Sequence, residues 1–170
     1  MSSKLNVWGV VRDHIGTLRN FDTGRYSPGD ILLFIVIPAI FAAGLTWLRI
    51  KITEQIANGL ITALSVFAGL LFNLLLLIYD IVQKDQGAAD NAKLQRLFLK
   101  EIYANISFCI LISITSIILL SVFAFGITVN ALAFALCFVI YFFLAVFVFT
   151  LLMVLKRVHV LLSKEFANKV

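Results

Sequence analysis

Residues 102–155 contain 54 consecutive positions without a single Asp, Glu, Lys or Arg. Drawn as one helix at about 1.5 Å per residue, such a run would measure about 80 Å. A hydrocarbon core is only about 30 Å thick. The run must therefore fold back on itself, and residues 126–130 are the natural place, because Gly126 and Asn130 tolerate the left-handed conformation of a tight turn. This predicts two membrane helices, over residues 102–125 and 130–155. A β-barrel would instead need strands of alternating polarity, and these are absent from the sequence.

Two further charge-free runs precede it. Residues 31–48, between Asp30 and Arg49, number 18, enough for about 27 Å of helix. Pro38 lies inside this run and lacks a backbone N–H, which predicts a break in the hydrogen-bond ladder near Phe34. Residues 56–79 number 24, bracketed by Glu54 and Asp80, and can cross with some tilt. The chain is 62% apolar and 14% charged, against about 45–50% and about 25% in soluble domains. The expected fold is an all-α integral membrane protein, a four-transmembrane-helix bundle with spans at 30–48, 56–79, 102–125 and 130–155. Around them lie an N-terminal segment (1–29), a loop (80–101) and a tail (156–170). The first 30 residues hold no long apolar core with a cleavage site, so the first span is expected to persist in the mature protein.

Flanking charge orients this bundle. Twelve of the 14 basic residues fall before the first span, between the second and third, or after the fourth. Arg49 and Lys51 alone fall on the other side. That asymmetry predicts a cytoplasmic N-terminus, middle loop and C-terminus. Trp47 then sits near the outer interface and Trp8, Tyr26, Tyr79 and Tyr103 near the inner one, typical depths for amphipathic rings. The net charge of +5 is accounted for by topology. With little soluble surface to carry a basic patch, direct nucleic-acid binding is not expected.

The segment 4–19 reads as a short amphipathic helix, with Leu5, Trp8, Val11, Ile15 and Leu18 on one face and Arg12, Asp13 and Arg19 off it. It suits a helix resting on the inner leaflet, one that caps the bundle, or one that packs on a neighbouring subunit. Residues 22–30 carry the turn chemistry of a linker. Past Gly87, the middle loop reads as a helix over about 88–99 that extends the third span, and its Lys93, Arg96 and Lys100 are candidate partner-binding residues. A solvated helix end beside anionic lipid would carry the same charges.

Catalytic motifs are missing: there is no GxGxxG, Walker A, HExxH or GxSxG. His14 and His159 stand alone in the flanks without metal-ligand spacing and read as surface residues. Cys109 and Cys137 lie in apolar runs and read as buried free thiols. No span holds an ionisable Asp, Glu, Lys or Arg, which argues against a proton-coupled pump or an intramembrane protease. A non-enzymatic protein without cofactor or metal is expected.

Mild polarity in the spans is nevertheless arranged in stripes. Asn58, Thr62, Ser65, Gly69 and Asn73 share one face of the second span, and Asp80 continues it. Asn105, Cys109, Ser113 and Ser116 share a face of the third, and Asn130, Cys137, Tyr141 and Ala145 a face of the fourth. Ala39 with Ala43, and Ala42 with Thr46, are small residues four apart in the first. Such stripes serve close interhelical packing or line a polar path through the bundle or an oligomer. An amide facing lipid is unfavourable, so Asn58 and Asn73 should each find a partner.

Trp8 to Arg19, the stretch from Asp30 to Pro38, and Lys93 to Asn105 together resemble the four-span membrane subunits of bacterial antiphage defence systems, the Kiwa type in particular. That resemblance implies a homo-oligomeric sensor in the bacterial inner membrane working with a cytoplasmic DNA-binding effector. The residues themselves suggest an oligomeric subunit, dimer or tetramer, that meets membrane lipids and anchors a cytoplasmic protein partner. An ion-conducting or membrane-perturbing pore and a small solute or lipid transporter are the alternatives.

Overall fold

A computed structural model of the chain describes residues 7–18, 29, 32–50, 52–84, 90–124 and 130–167. All regular structure among the described residues is helical: α1 (Val7–Gly16), a π-helical turn (Leu32–Val36), α2 (Ile37–Trp47), α3 (Glu54–Lys84), α4 (Asp90–Ala124) and α5 (Asn130–Ala167). Three of these contain stretches long and apolar enough to cross a membrane: Glu54–Asp80, Phe98–Ala124 and Leu132–Val160. The apolar stretch Leu32–Trp47 is shorter.

The break expected near Phe34 takes the form of the π-helical turn, which changes the hydrogen-bond register before Pro38 occupies the first turn of α2. At its other end α2 stops in a Schellman motif: Ile50 N–H donates to the Leu45 carbonyl (3.2 Å) and Arg49 N–H to the Thr46 carbonyl (3.1 Å). Arg49 adopts φ of 52° to make this closure. Thr53 then starts α3, its Oγ1 accepting from Ile56 N–H and its carbonyl from Ala57 N–H.

The middle loop is shorter than expected. Helix α3 runs on to Lys84, so residues 80–84, read as loop, are helical, and α4 begins at Asp90, within the helix expected over about 88–99 as an extension of the third span. The physical reason is that charge ends a membrane span without ending a helix. Neither stretch contains Gly or Pro, and Gln, Leu, Lys and Arg are good helix formers. Helix α5 likewise continues past residue 155 to Ala167. Gly87, Tyr26, most of the linker, and the reversal at 126–129 lie outside the described residues.

The long helices stand in a row rather than a closed square. Helix α4 packs between α3 and α5, α2 and the π-helical turn pack on the far side of α5, and α1 packs on α4. The α3–α4 seam is a heptad: Ala57, Leu64, Leu71 and Ile78, seven residues apart, are all buried. Ile102, Ile106, Cys109, Ile112 and Leu120 of α4 and Ile140, Phe147 and Val154 of α5 complete the interior. Helix α3, at the edge of the row, is the least covered: 17% of its apolar stretch is buried, against 33% for α4 and 39% for α5.

Candidate functional site at the α1 end of the bundle

His14 decides how α1 sits. Of the apolar face read from the sequence, Trp8 (74% exposed) and Ile15 are open, whereas Leu18 is buried. Alongside Leu18 the segment presents His14, 3% exposed, to the bundle. This corrects the reading of His14 as a surface residue. Its ring stacks on Phe108 of α4 with centroids 3.8 Å apart and meets the edge of Phe34 at 6.0 Å.

A buried imidazole needs a polar partner, and Asn105 supplies it. His14 Nδ1 donates to Asn105 Oδ1 over 2.8 Å. The Thr17 hydroxyl stands 2.9 Å from the same oxygen and 2.7 Å from the His14 carbonyl. Burial pushes the His14 pKa down from 6.5 to about 4, opposed by the Asn105 hydrogen bond and assisted by the positive charge of Arg157. His14 is therefore neutral near pH 7. Arg157 of α5 closes the junction from the other side, pairing with Glu101 at 2.6 Å and donating to the Thr17 carbonyl at 3.2 Å. Three helices thus meet through one polar cluster. Asn105 Nδ2 is buried there with no hydrogen-bond partner among the described residues.

Beside this junction a groove of about 690 Å³ runs between α1 and residues 100–104 of α4, open along one side. Its lining mixes charge of both signs (Arg12, Asp13, Lys100, Glu101) with aromatic surface (Trp8, Tyr103). Lys100, one of three candidate partner-binding residues, is exposed at this groove. Lys93 and Arg96 belong to the first turns of α4, and their side chains lie outside the described residues. His159 is exposed on α5.

The polar stripes separate into two kinds. On α4, Asn105, Cys109, Ser113 and Ser116 are fully buried, and the Ser113 hydroxyl donates to the Cys109 carbonyl. On α5, Tyr141 and Ala145 are buried, and the Tyr141 hydroxyl donates to the Ile50 carbonyl (2.9 Å), holding the α2–α3 connection. On α2, Ala42 and Thr46 are buried. On α3, by contrast, Asn58, Thr62, Ser65, Gly69 and Asn73 are all exposed. The Thr62 and Ser65 hydroxyls donate to carbonyls of their own helix, Asn58 and Ile61. Trp47, Tyr79 and Tyr103 are exposed, as interface rings would be. Cys109 and Cys137 are free thiols, and no cluster of metal-ligating side chains occurs among the described residues.

Sequence reasoning missed the His14–Asn105 junction. Part of its signal was present, in an Asn at the end of a span, but only tertiary packing pairs positions 91 residues apart. No protein-family model, curated protein or solved structure matches the chain.

Proposed function

We propose that the protein is a non-enzymatic, homo-oligomeric subunit of the bacterial inner membrane that anchors a cytoplasmic partner and senses on its behalf. In this reading it crosses the membrane four times with both termini inside. The π-helical turn and α2 form the first crossing, and α3, α4 and α5 the others. The observation that carries the proposal is the α1–α4 groove, where charged and aromatic side chains converge at the end of the bundle that bears most of the basic residues. That end also holds α1 through His14, so a partner bound in the groove would touch the element that the junction fixes. The resemblance to antiphage membrane subunits points to a DNA-binding effector as the partner.

Charge reversal at Lys93, Arg96 and Lys100 tests this. Topology should survive, because other basic residues remain on the same side. Co-purification of the native partner should fall, and the remaining binding should weaken further at high salt. Undiminished capture together with undiminished cellular activity would contradict the proposal. The second reading, an ion-conducting oligomer, draws on the exposed polar face of α3. It requires single-channel conductance in planar bilayers that Asn58→Leu with Asn73→Leu abolishes.

A further inference from the structure

The lining of the α1–α4 groove changes polarity as a phospholipid does. On α4, Lys100 and Glu101 are the last charges before the charge-free run that starts at residue 102, and Tyr103 and Ala104, the next lining residues, lie within that run. At about 1.5 Å per residue, the groove therefore sits within about one helical turn of the point where hydrocarbon begins. On α1, the charged Arg12 and Asp13 line it beside Trp8, Val11 and Ile15. Trp8, Ile15 and Tyr103 are exposed, so apolar surface continues outward from the groove. Trp and Tyr are the ring types that settle at headgroup depth.

Charge selects the headgroup. Glu101 is paired with Arg157. The other charged lining residues, the cations Arg12 and Lys100 and the carboxylate Asp13, form no ion pair among the described residues and together leave one positive charge in excess. Two cations suit a phosphate, and basic pockets beside membrane helices take lipid phosphates. A zwitterionic lipid would leave the positive excess unbalanced. A doubly charged lipid would set its second negative charge against Asp13. A single phosphodiester charge balances the lining, and Asp13 then faces the rest of the headgroup as an acceptor, to which a hydroxyl donates. We propose that the groove is a site for one singly anionic, hydroxyl-bearing membrane phospholipid, with Arg12 and Lys100 on its phosphate, Asp13 on a headgroup hydroxyl, and Trp8 and Tyr103 against the first carbons of its chains. The open side of the groove admits the lipid laterally. The proposal deepens the sensing role and rests on the membrane-spanning reading: the lipid lies against α1, the helix docked by the His14 junction, and a partner reaching the groove meets both.

Native mass spectrometry of the full chain in mild detergent, titrated with defined lipids, tests this. One phosphatidylglycerol per chain should bind about ten-fold tighter than phosphatidylethanolamine. Arg12→Gln with Lys100→Gln should reduce that preference to about two-fold. Arg49→Gln with Lys156→Gln, which removes as much charge outside the groove, should keep it. Phosphatidylmethanol, a singly charged diester without headgroup hydroxyls, isolates Asp13: the unsubstituted chain should favour phosphatidylglycerol over it about five-fold, and Asp13→Ala should abolish the difference. None of these side chains belongs to the His14 junction, so each variant should unfold at the wild-type temperature. Equal binding of phosphatidylglycerol and phosphatidylethanolamine by the unsubstituted chain, or a preference that survives Arg12→Gln with Lys100→Gln, would overturn the site. Carbonate extraction of native membranes separates the levels. A chain that stays in the membrane but shows no lipid preference refutes the site and spares the membrane-spanning reading, whereas release by carbonate refutes both.

Discussion

Helices α3 and α4 are neighbours of similar length, each with a stripe of Asn, Ser and other small polar residues, yet the stripes face opposite ways. That of α4 points into the bundle, where Asn105 anchors α1 through His14. That of α3 is exposed along its length. The stripe composition is nearly the same, so composition does not determine the role. Position in the row does: α4 packs against α1, α3 and α5, whereas α3 packs mainly on α4 and meets α5 at the Phe67–Phe147 ring contact. A polar side chain in the middle of the row must be satisfied by its own chain and so becomes part of the fold. At the edge, the Thr62 and Ser65 hydroxyls turn to carbonyls of their own helix.

The contrast breaks most directly at Asn105. Asn105→Leu strips the acceptor from His14 and Thr17 and leaves buried donors unpaired, which should destabilise the protein by about 2–4 kcal/mol. Thermal unfolding in detergent would register it, with Trp8 fluorescence reporting on α1. Adding His14→Phe to Asn105→Leu should recover part of the loss, because removing both polar partners leaves fewer unsatisfied groups.

Acid should act on the same junction. His14 binds its proton near pH 6.5 when free and near 4 when docked, so the undocked state holds more protons between these values. Stability of the docked helix is therefore full above about pH 6.5 and falls as the pH drops toward 4, by up to about 3 kcal/mol in all. Hydrogen exchange over residues 7–16 should accelerate on that side of neutrality, and His14→Leu should flatten the profile. A profile that loosens with rising pH would contradict the assignment of a neutral, buried His14.

A smaller effect is expected at Arg157. Arg157→Met removes the ion pair to Glu101 and the bond to the Thr17 carbonyl, but both ion-pair side chains are about a fifth exposed. Water replaces part of what is lost, so about 1–2 kcal/mol is expected in thermal unfolding. Glu101→Gln in the same background should return some of it by neutralising the abandoned carboxylate. On α3 the smallest effect on folding is predicted: Asn58→Leu with Asn73→Leu should change the stability of the single chain by no more than about 0.5 kcal/mol.

Much of the fold was legible in charge alone. The charge-free runs located α3, α4, α5 and the short apolar segment with its interruption before Pro38. Boundaries moved where the membrane run and the helix part company, at residues 80–84 and 156–167, because a charged side chain does not stop a helix; the helix expected over about 88–99 is there from Asp90. The stripes too were visible, but periodicity gives a face and not its direction. Whether Asn73 looks inward or outward depends on which helices flank α3, a matter of topology. His14 escaped for the same reason: its neighbours in sequence are those of a surface helix, and its partners, Asn105 and Phe108, lie on another element.

Thermal unfolding of two variants side by side tests the division between the stripes most directly. The account predicts that Asn58→Leu with Asn73→Leu unfolds at the wild-type temperature. It predicts that Asn105→Leu unfolds several degrees lower. The reverse pattern, an α3 variant that unfolds early and an Asn105 variant that unfolds with the wild type, would contradict it.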